Sequence, residues 1–145
     1  TFVEANNGPG VQHVAFHVPA IIPAVEGLRR AGIEFLDTPA TYYDMLPERL
    51  VRQKVENFDR DVELLKHLGI LVDGEDDRYL LQIFMVEGGL LYEDDVAGPF
   101  FYEVIQRRGA RGFGEGNFKA LFESMERDQI RRGVLDVEDA KSVDA

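Results

Sequence analysis

The 145 residues contain no cysteine and no tryptophan. Without cysteine there is no disulfide framework, no thiolate metal ligand and no thiol nucleophile, so any bound metal falls to histidine and carboxylate. Basic residues are scarce: 16 Lys and Arg stand against 27 Asp and Glu, a formal charge of −11. They form no positive stripe, which argues against nucleic acid or an anionic membrane surface as partner. No apolar run approaches the roughly 20 residues of a membrane span, and Thr1-Phe2-Val3 lacks the basic start of a signal peptide. A cytoplasmic protein is expected. What is present is a hydrophobic fraction of 45%, enough at this length for one domain with its own core and room for a small neutral or organic ligand.

The pattern alternates between strand and helix. Val11–His17 is apolar and β-leaning between Gly10 and Pro19, and predicts a strand. Ile21, Ile22, Val25 and Leu28 recur at helical spacing over Ala20–Ala31, with Gly32 placed to end the helix. A short strand is predicted over Ile33–Leu36, then helices over Tyr42–Leu50 and Phe58–Leu68, the second closing at Gly69. Ile70–Val72 and Arg78–Val86 bracket the acidic Asp73–Asp77 and predict a hairpin; this loop lacks the ligand spacing of a calcium loop. Glu87–Gly98 is predicted as a long exposed loop and Pro99–Arg107 as a strand. Asn117 is predicted to cap a helix whose Phe118, Leu121, Phe122 and Met125 share a face and which ends by Gly133. The expected domain therefore runs over 1–133, and the acidic tail 134–145, poor in large apolar residues, is expected to be disordered.

The candidate chemistry lies in three histidines and a few placed carboxylates and amides. His13 and His17 are four apart, the spacing of a zinc helix, yet their surroundings predict a strand. On a strand they share a face but stand roughly 13 Å apart, too far for one metal. His13 is either a functional residue beside the Gly8-Pro9-Gly10 turn or a hydrogen-bonded structural one. His67 is expected as a last-turn helix residue on the surface. Glu103 alternates onto one face with Phe101 and Ile105, so it either needs a metal, a cation or a shifted pKa, or sits on an edge strand paired with Arg107 or Arg108. Gln82, on a face with Leu80 and Phe84, either lines a pocket or satisfies a neighbour.

Five separated stretches carry a resemblance: Gly10–Ala15 (GVQHVA), Tyr42-Tyr43-Asp44, Leu80–Phe84 (LLQIF), Phe100–Arg107 (FFYEVIQR) and Gly112–Phe122 (GFGEGNFKALF). In this order, over about Asn7 to Leu135, the chain resembles the 4-hydroxyphenylpyruvate dioxygenase family. The resemblance implies an α+β vicinal-oxygen-chelate (glyoxalase-like) fold, in which βαβββ modules each form half of an open barrel, here with a helical insert and a C-terminal lid helix. It implies a 2-His-1-carboxylate Fe(II) site, with His13 and Glu103 as two ligands and the third, a histidine, on a module upstream of this chain. A strand-like Thr1–Glu4 fits a chain cut from a longer enzyme.

The same resemblance gives Gln82, Phe101 and Asn117 catalytic roles and places Gln12, Gln82, Phe84, Phe101, Phe113, Asn117 and Phe118 around the substrate. Strict alternation points Gln12 away from His13, so a bend after Gly10 is required. Met85–Gly98 is longer than the family pattern. The implied reaction converts 4-hydroxyphenylpyruvate and O2 to homogentisate and CO2 in tyrosine and phenylalanine catabolism, with a homo-oligomer expected and the fragment inactive alone. Two other readings stay open: hydroxymandelate synthase, which shares substrate, iron and fold, and a non-catalytic single-module dimer that binds a ligand.

Overall fold

A computed structural model of the chain describes residues 1–86 and 98–131. The predicted loop over Glu87–Gly98, apart from its last residue, and the tail 134–145 lie outside the described residues. Among those described, no helix is long and apolar enough to cross a membrane.

Among the described residues, nine elements follow in chain order: α1 (Phe2–Ala5), β1 (His13–His17), α2 (Ile21–Arg30), α3 (Ala40–Arg52), α4 (Val62–Leu68), β2 (Leu71–Glu75), β3 (Arg78–Phe84), β4 (Phe101–Arg108) and α5 (Glu115–Arg131). The four strands form one sheet in the order β1-β4-β3-β2, with β1 parallel to β4 and the other pairs antiparallel. This is the βαβββ order expected, except that the helical insert of α3 and α4 comes before the second strand, β2, and not after it.

Local chemistry explains most boundaries. Helix α2 ends because Gly32, at φ +88°, adopts a left-handed conformation, letting Ile33 N–H donate to Leu28 O and Gly32 N–H to Arg29 O. Helix α4 starts at Asp61, whose carboxylate accepts from the N–H groups of Glu63 and Leu64, and stops at Gly69. The β2–β3 turn is the dipeptide Asp76-Asp77, both at positive φ, as a tight hairpin demands. The hairpin strand therefore runs through Asp73 to Glu75, and the predicted acidic loop shrinks to two residues.

Four expectations fail. Ile33–Leu36 is not a strand: Phe35 makes an isolated bridge with Met85, too short to extend the sheet. Phe58–Asp61 is not helical, because Asp61 caps the helix from outside. Thr1–Glu4 is not strand-like, since Thr1 and Glu4 form a reciprocal capping box on α1. Asn117 is not a cap: α5 begins two residues earlier, and Asn117 lies fully buried inside its first turn.

The core fills both faces of the sheet. On the outer face, Ile21 and Val25 of α2 and Leu65 and Leu68 of α4 pack in one cluster with Val72, Leu81, Ile83 and Val104. Gln106 on that face accepts from Ile21 N–H at 2.8 Å, supplying the cap that Ala20 cannot. Helix α3 covers the open edge of β2, where the Tyr42 hydroxyl meets both N–H and C=O of Val72 and the Tyr43 hydroxyl donates to Ile70 O. Blocking that edge removes a template for unwanted strand pairing. Helix α5 packs on α3 and β2 and crosses the inner face, the one that carries the candidate site.

Candidate metal and substrate site

The strand register decides which side chains meet. Parallel pairing of His13 with Phe101 and Ala15 with Glu103, and antiparallel pairing of Phe84 with Glu103 and Gln82 with Ile105, put His13, Glu103, Phe101, Phe84 and Gln82 on one face. His13 Nε2 stands 3.5 Å from Glu103 Oε2. The carboxylate is buried, whereas the imidazole is partly open to solvent. Strand β4 is central, not an edge, so the alternative of a solvated edge glutamate does not hold. Burial pushes the Glu103 carboxyl up to about 7, opposed by the Arg107 guanidinium on the same face.

A buried carboxylate facing a histidine nitrogen, with His13 Nδ1 also buried and unpartnered among the described residues, is a donor set suited to a divalent cation. The residues fit two positions of a His and carboxylate centre. Among the described residues no group of three or more His, Asp or Glu can hold a metal. His17, paired with Ile105, is four register positions further along β1 and exposed, and His67 is exposed at the end of α4.

Aromatic rings run from this pair to the lid helix. His13 stacks on Phe101 at 5.2 Å between ring centroids, Phe84 meets Phe101 edge-on at 5.6 Å, and Phe84 stacks on Phe118 of α5 at 5.7 Å. Gln82 is fully buried with neither amide atom partnered among the described residues, and Asn117 Nδ2 is buried and likewise without a partner among them. Gly114, at φ +76°, brings the approach to α5 so close to the Gln82 amide that a Cβ there would overlap it. Two other expected site residues stand apart. Gln12 precedes β1, is exposed, and accepts from Phe101 N–H through its carbonyl. Phe113 is 69% exposed. Behind the lid, an apolar cavity of about 230 Å³ is lined by Leu36, Leu71, Phe84, Leu121 and Met125, among others. The side chain of Phe122 lies outside the described residues.

Sequence reasoning missed a buried polar cluster beneath α5. Arg49 Nη2 donates to the Tyr42 hydroxyl at 2.6 Å, and Arg49 Nη1 lies 3.6 Å from Asp73. Asp73 also accepts from Gln53 Nε2 and from Gly116 N–H in the first turn of α5. The available signal was Arg49 seven residues after Tyr42, on one face of an otherwise amphipathic helix.

No family model matches the chain. Among curated proteins, it is 49% identical over 136 residues to hemolysin VllY of Vibrio vulnificus, and 46% identical over 136 residues to 4-hydroxyphenylpyruvate dioxygenase of Pseudomonas aeruginosa. Each alignment covers 92% of this chain and 34% of the relative. Over nearly its whole length the chain resembles 4-hydroxyphenylpyruvate dioxygenase. It spans about a third of the length of the curated relatives it matches. A solved variant of 4-hydroxymandelate synthase from Streptomyces coelicolor superposes with a TM-score of 0.64 at 42% identity, over 88% of this chain and 33% of that one. The fold is the α+β vicinal-oxygen-chelate module that the sequence motifs imply.

Proposed function

We propose that this chain is the C-terminal module of an Fe(II)-dependent 4-hydroxyphenylpyruvate dioxygenase, which converts 4-hydroxyphenylpyruvate and O2 to homogentisate and CO2. The observation that carries the reading is the convergence of His13 and a buried Glu103 at 3.5 Å at the foot of an aromatic wall. The third protein ligand, a histidine, is assigned to an upstream module of the same enzyme, and assembly into a homo-oligomer is part of the proposal. A small, polar substrate of tyrosine and phenylalanine catabolism fits a cytoplasmic enzyme.

The chain's own residues have definable tasks. His13 Nε2 and the Glu103 carboxylate would hold the ion as two of its protein ligands. Bound Fe(II) supplies the activation of O2 that couples oxidative decarboxylation of the 2-oxo acid to hydroxylation of its ring. Phe101 holds the plane of the imidazole, and Phe84, Phe101 and Phe118 offer flat apolar surfaces to a phenyl ring. The buried Gln82 amide and Asn117 Nδ2 have hydrogen-bonding capacity to spend on a phenol, carboxylate or keto oxygen, because they have no partner among the described residues. Helix α5 crosses this face and brings Phe118 against Phe84.

A second reading, 4-hydroxymandelate synthase, is favoured by the structural similarity to that enzyme. Product analysis separates the two. The full-length protein, loaded with Fe(II) and given 4-hydroxyphenylpyruvate, is expected to consume O2 and release homogentisate, with His13→Ala and Glu103→Gln each lowering the rate at least a hundredfold. Accumulation of 4-hydroxymandelate selects the second reading. Turnover retained in either variant, or no O2 uptake at all, overturns the assignment.

A further inference from the structure

Tyr42 is fully buried, and its hydroxyl is crowded by more groups than it can serve. Arg49 Nη2 donates to it at 2.6 Å and Val72 N–H donates at 2.8 Å. Two donors occupy both lone pairs of the phenol oxygen. The hydroxyl proton then has two acceptors within reach, Asn117 Oδ1 at 2.5 Å and Val72 O at 3.0 Å. The shorter contact settles it, since two oxygens at 2.5 Å repel unless a proton lies between them.

This fixes Asn117. Were its amide turned over, Nδ2 would bring a third donor to a phenol oxygen with no lone pair left. It would also turn toward Arg49 Nη2, which stands 3.4 Å from Oδ1 and has no acceptor capacity. Oδ1 is therefore held toward Tyr42 and Arg49, and Nδ2, buried and unpartnered among the described residues, is left as the donor facing the remaining space. Arg49 is itself held by Asp73, which Gln53 and Gly116 N–H orient. The first turn of α5 and the polarity of its buried amide are thus set by one cluster on α3 and β2.

We propose that Tyr42 and Arg49 are positioning residues that lock the Asn117 side chain as a hydrogen-bond donor, so that the substrate atom meeting it is an acceptor oxygen. The assignment rests on the reading of Asn117 as a substrate contact. It adds which way the contact runs and which residues impose it.

A double-mutant cycle on the full-length enzyme tests the coupling. Tyr42→Phe removes the locking proton while keeping the ring, and is expected to raise KM for 4-hydroxyphenylpyruvate about five- to tenfold with a much smaller change in kcat. In an Asn117→Ala background the same substitution should change KM less than twofold. Equal effects in both backgrounds overturn the proposal, because a purely structural tyrosine acts whether or not the amide is present. If Asn117→Ala leaves KM unchanged while homogentisate still forms, the inference fails and the dioxygenase reading stands. Neutron diffraction on the deuterium-exchanged wild-type protein decides the orientation without turnover. Deuterium on Tyr42 Oη directed at Asn117 Oδ1 is expected, and Nδ2 deuterons directed at Tyr42 overturn the lock whatever the substrate proves to be.

Discussion

The imidazole of His13 lies nearly parallel to the ring of Phe101, 9° between planes and 5.2 Å between centroids, on neighbouring strands paired in register. A ligand histidine costs least to use when its ring is already oriented. Phe101→Leu keeps the apolar volume but removes the flat surface, so the imidazole gains rotational freedom. We expect Fe(II) affinity of the full-length protein to fall about tenfold, in the range typical for residues that orient a ligand, with a thermal midpoint shift of only a few degrees. Unchanged affinity in a metal titration would show that strand geometry alone fixes His13.

Gly114 and Gln82 make a second close contact, with a different consequence. An alanine at Gly114 would suffer both the left-handed φ of +76° and overlap with the buried Gln82 amide, which would have to shift. Gly114→Ala is expected to destabilise the protein by roughly 2 kcal/mol or more and to lower turnover by displacing Gln82 or the start of α5. Gly112→Ala serves as control, because Gly112 is exposed and has no positive φ. Denaturant midpoints that fall equally in both variants would sink the idea that the Gly114 contact positions the site.

Much of this arrangement was legible in the sequence because local rules and tertiary packing agree. Alternation along FFYEVIQ put Glu103 on the face of Phe101, and the glycines at 32 and 69 ended the helices they follow. Ile33–Leu36 misled because a short run with three large apolar residues satisfies strand propensity without a partner edge, and only Phe35 finds one. Asn117 misled for the opposite reason: asparagine before an apolar helical face reads as a cap, and only Tyr42, 75 residues away in sequence, reveals why it is buried instead. The Arg49–Asp73 pair spans elements whose proximity exists only after α3 folds over the edge of β2. No spacing rule reaches that far.

Residues 1–145 expressed alone are expected to be inactive. With His13 and Glu103 the chain brings two donors, and among its described residues none forms a third with them. Two donors leave a divalent ion weakly held, and losing the remaining walls of the substrate site costs further orders of magnitude through lost positioning. Incubation with Fe(II), ascorbate, O2 and 4-hydroxyphenylpyruvate should yield no homogentisate above the protein-free control. A rate comparable to the full-length enzyme, abolished by His13→Ala, would mean that the chain closes a complete metal centre by itself.

Tyr42 also predicts how stability falls in alkali. Burial pushes its phenol up to about 12 from 10.0, with Arg49 and Val72 N–H partly opposing the shift. The folded state therefore holds the proton more tightly than the unfolded chain. The stability from this difference is intact below pH 10 and is lost progressively between pH 10 and about 12, as the unfolded tyrosine ionises while the folded one does not. Two pH units correspond to a loss on the order of 3 kcal/mol across that window. Tyr42→Phe has no proton to lose, so its denaturant midpoint, lower than wild type at pH 8, should decline less steeply from pH 10 to 11.5 and approach the wild-type value. Tyr43 is raised as well, first by burial and then by the neighbouring Tyr42, so Tyr42→Phe also removes part of that shift and flattens the decline in the same direction. Parallel declines of wild type and Tyr42→Phe would show that the Tyr42 hydroxyl ionises in the folded protein as readily as in the unfolded chain, and that the Arg49 and Asn117 contacts do not hold its proton in place.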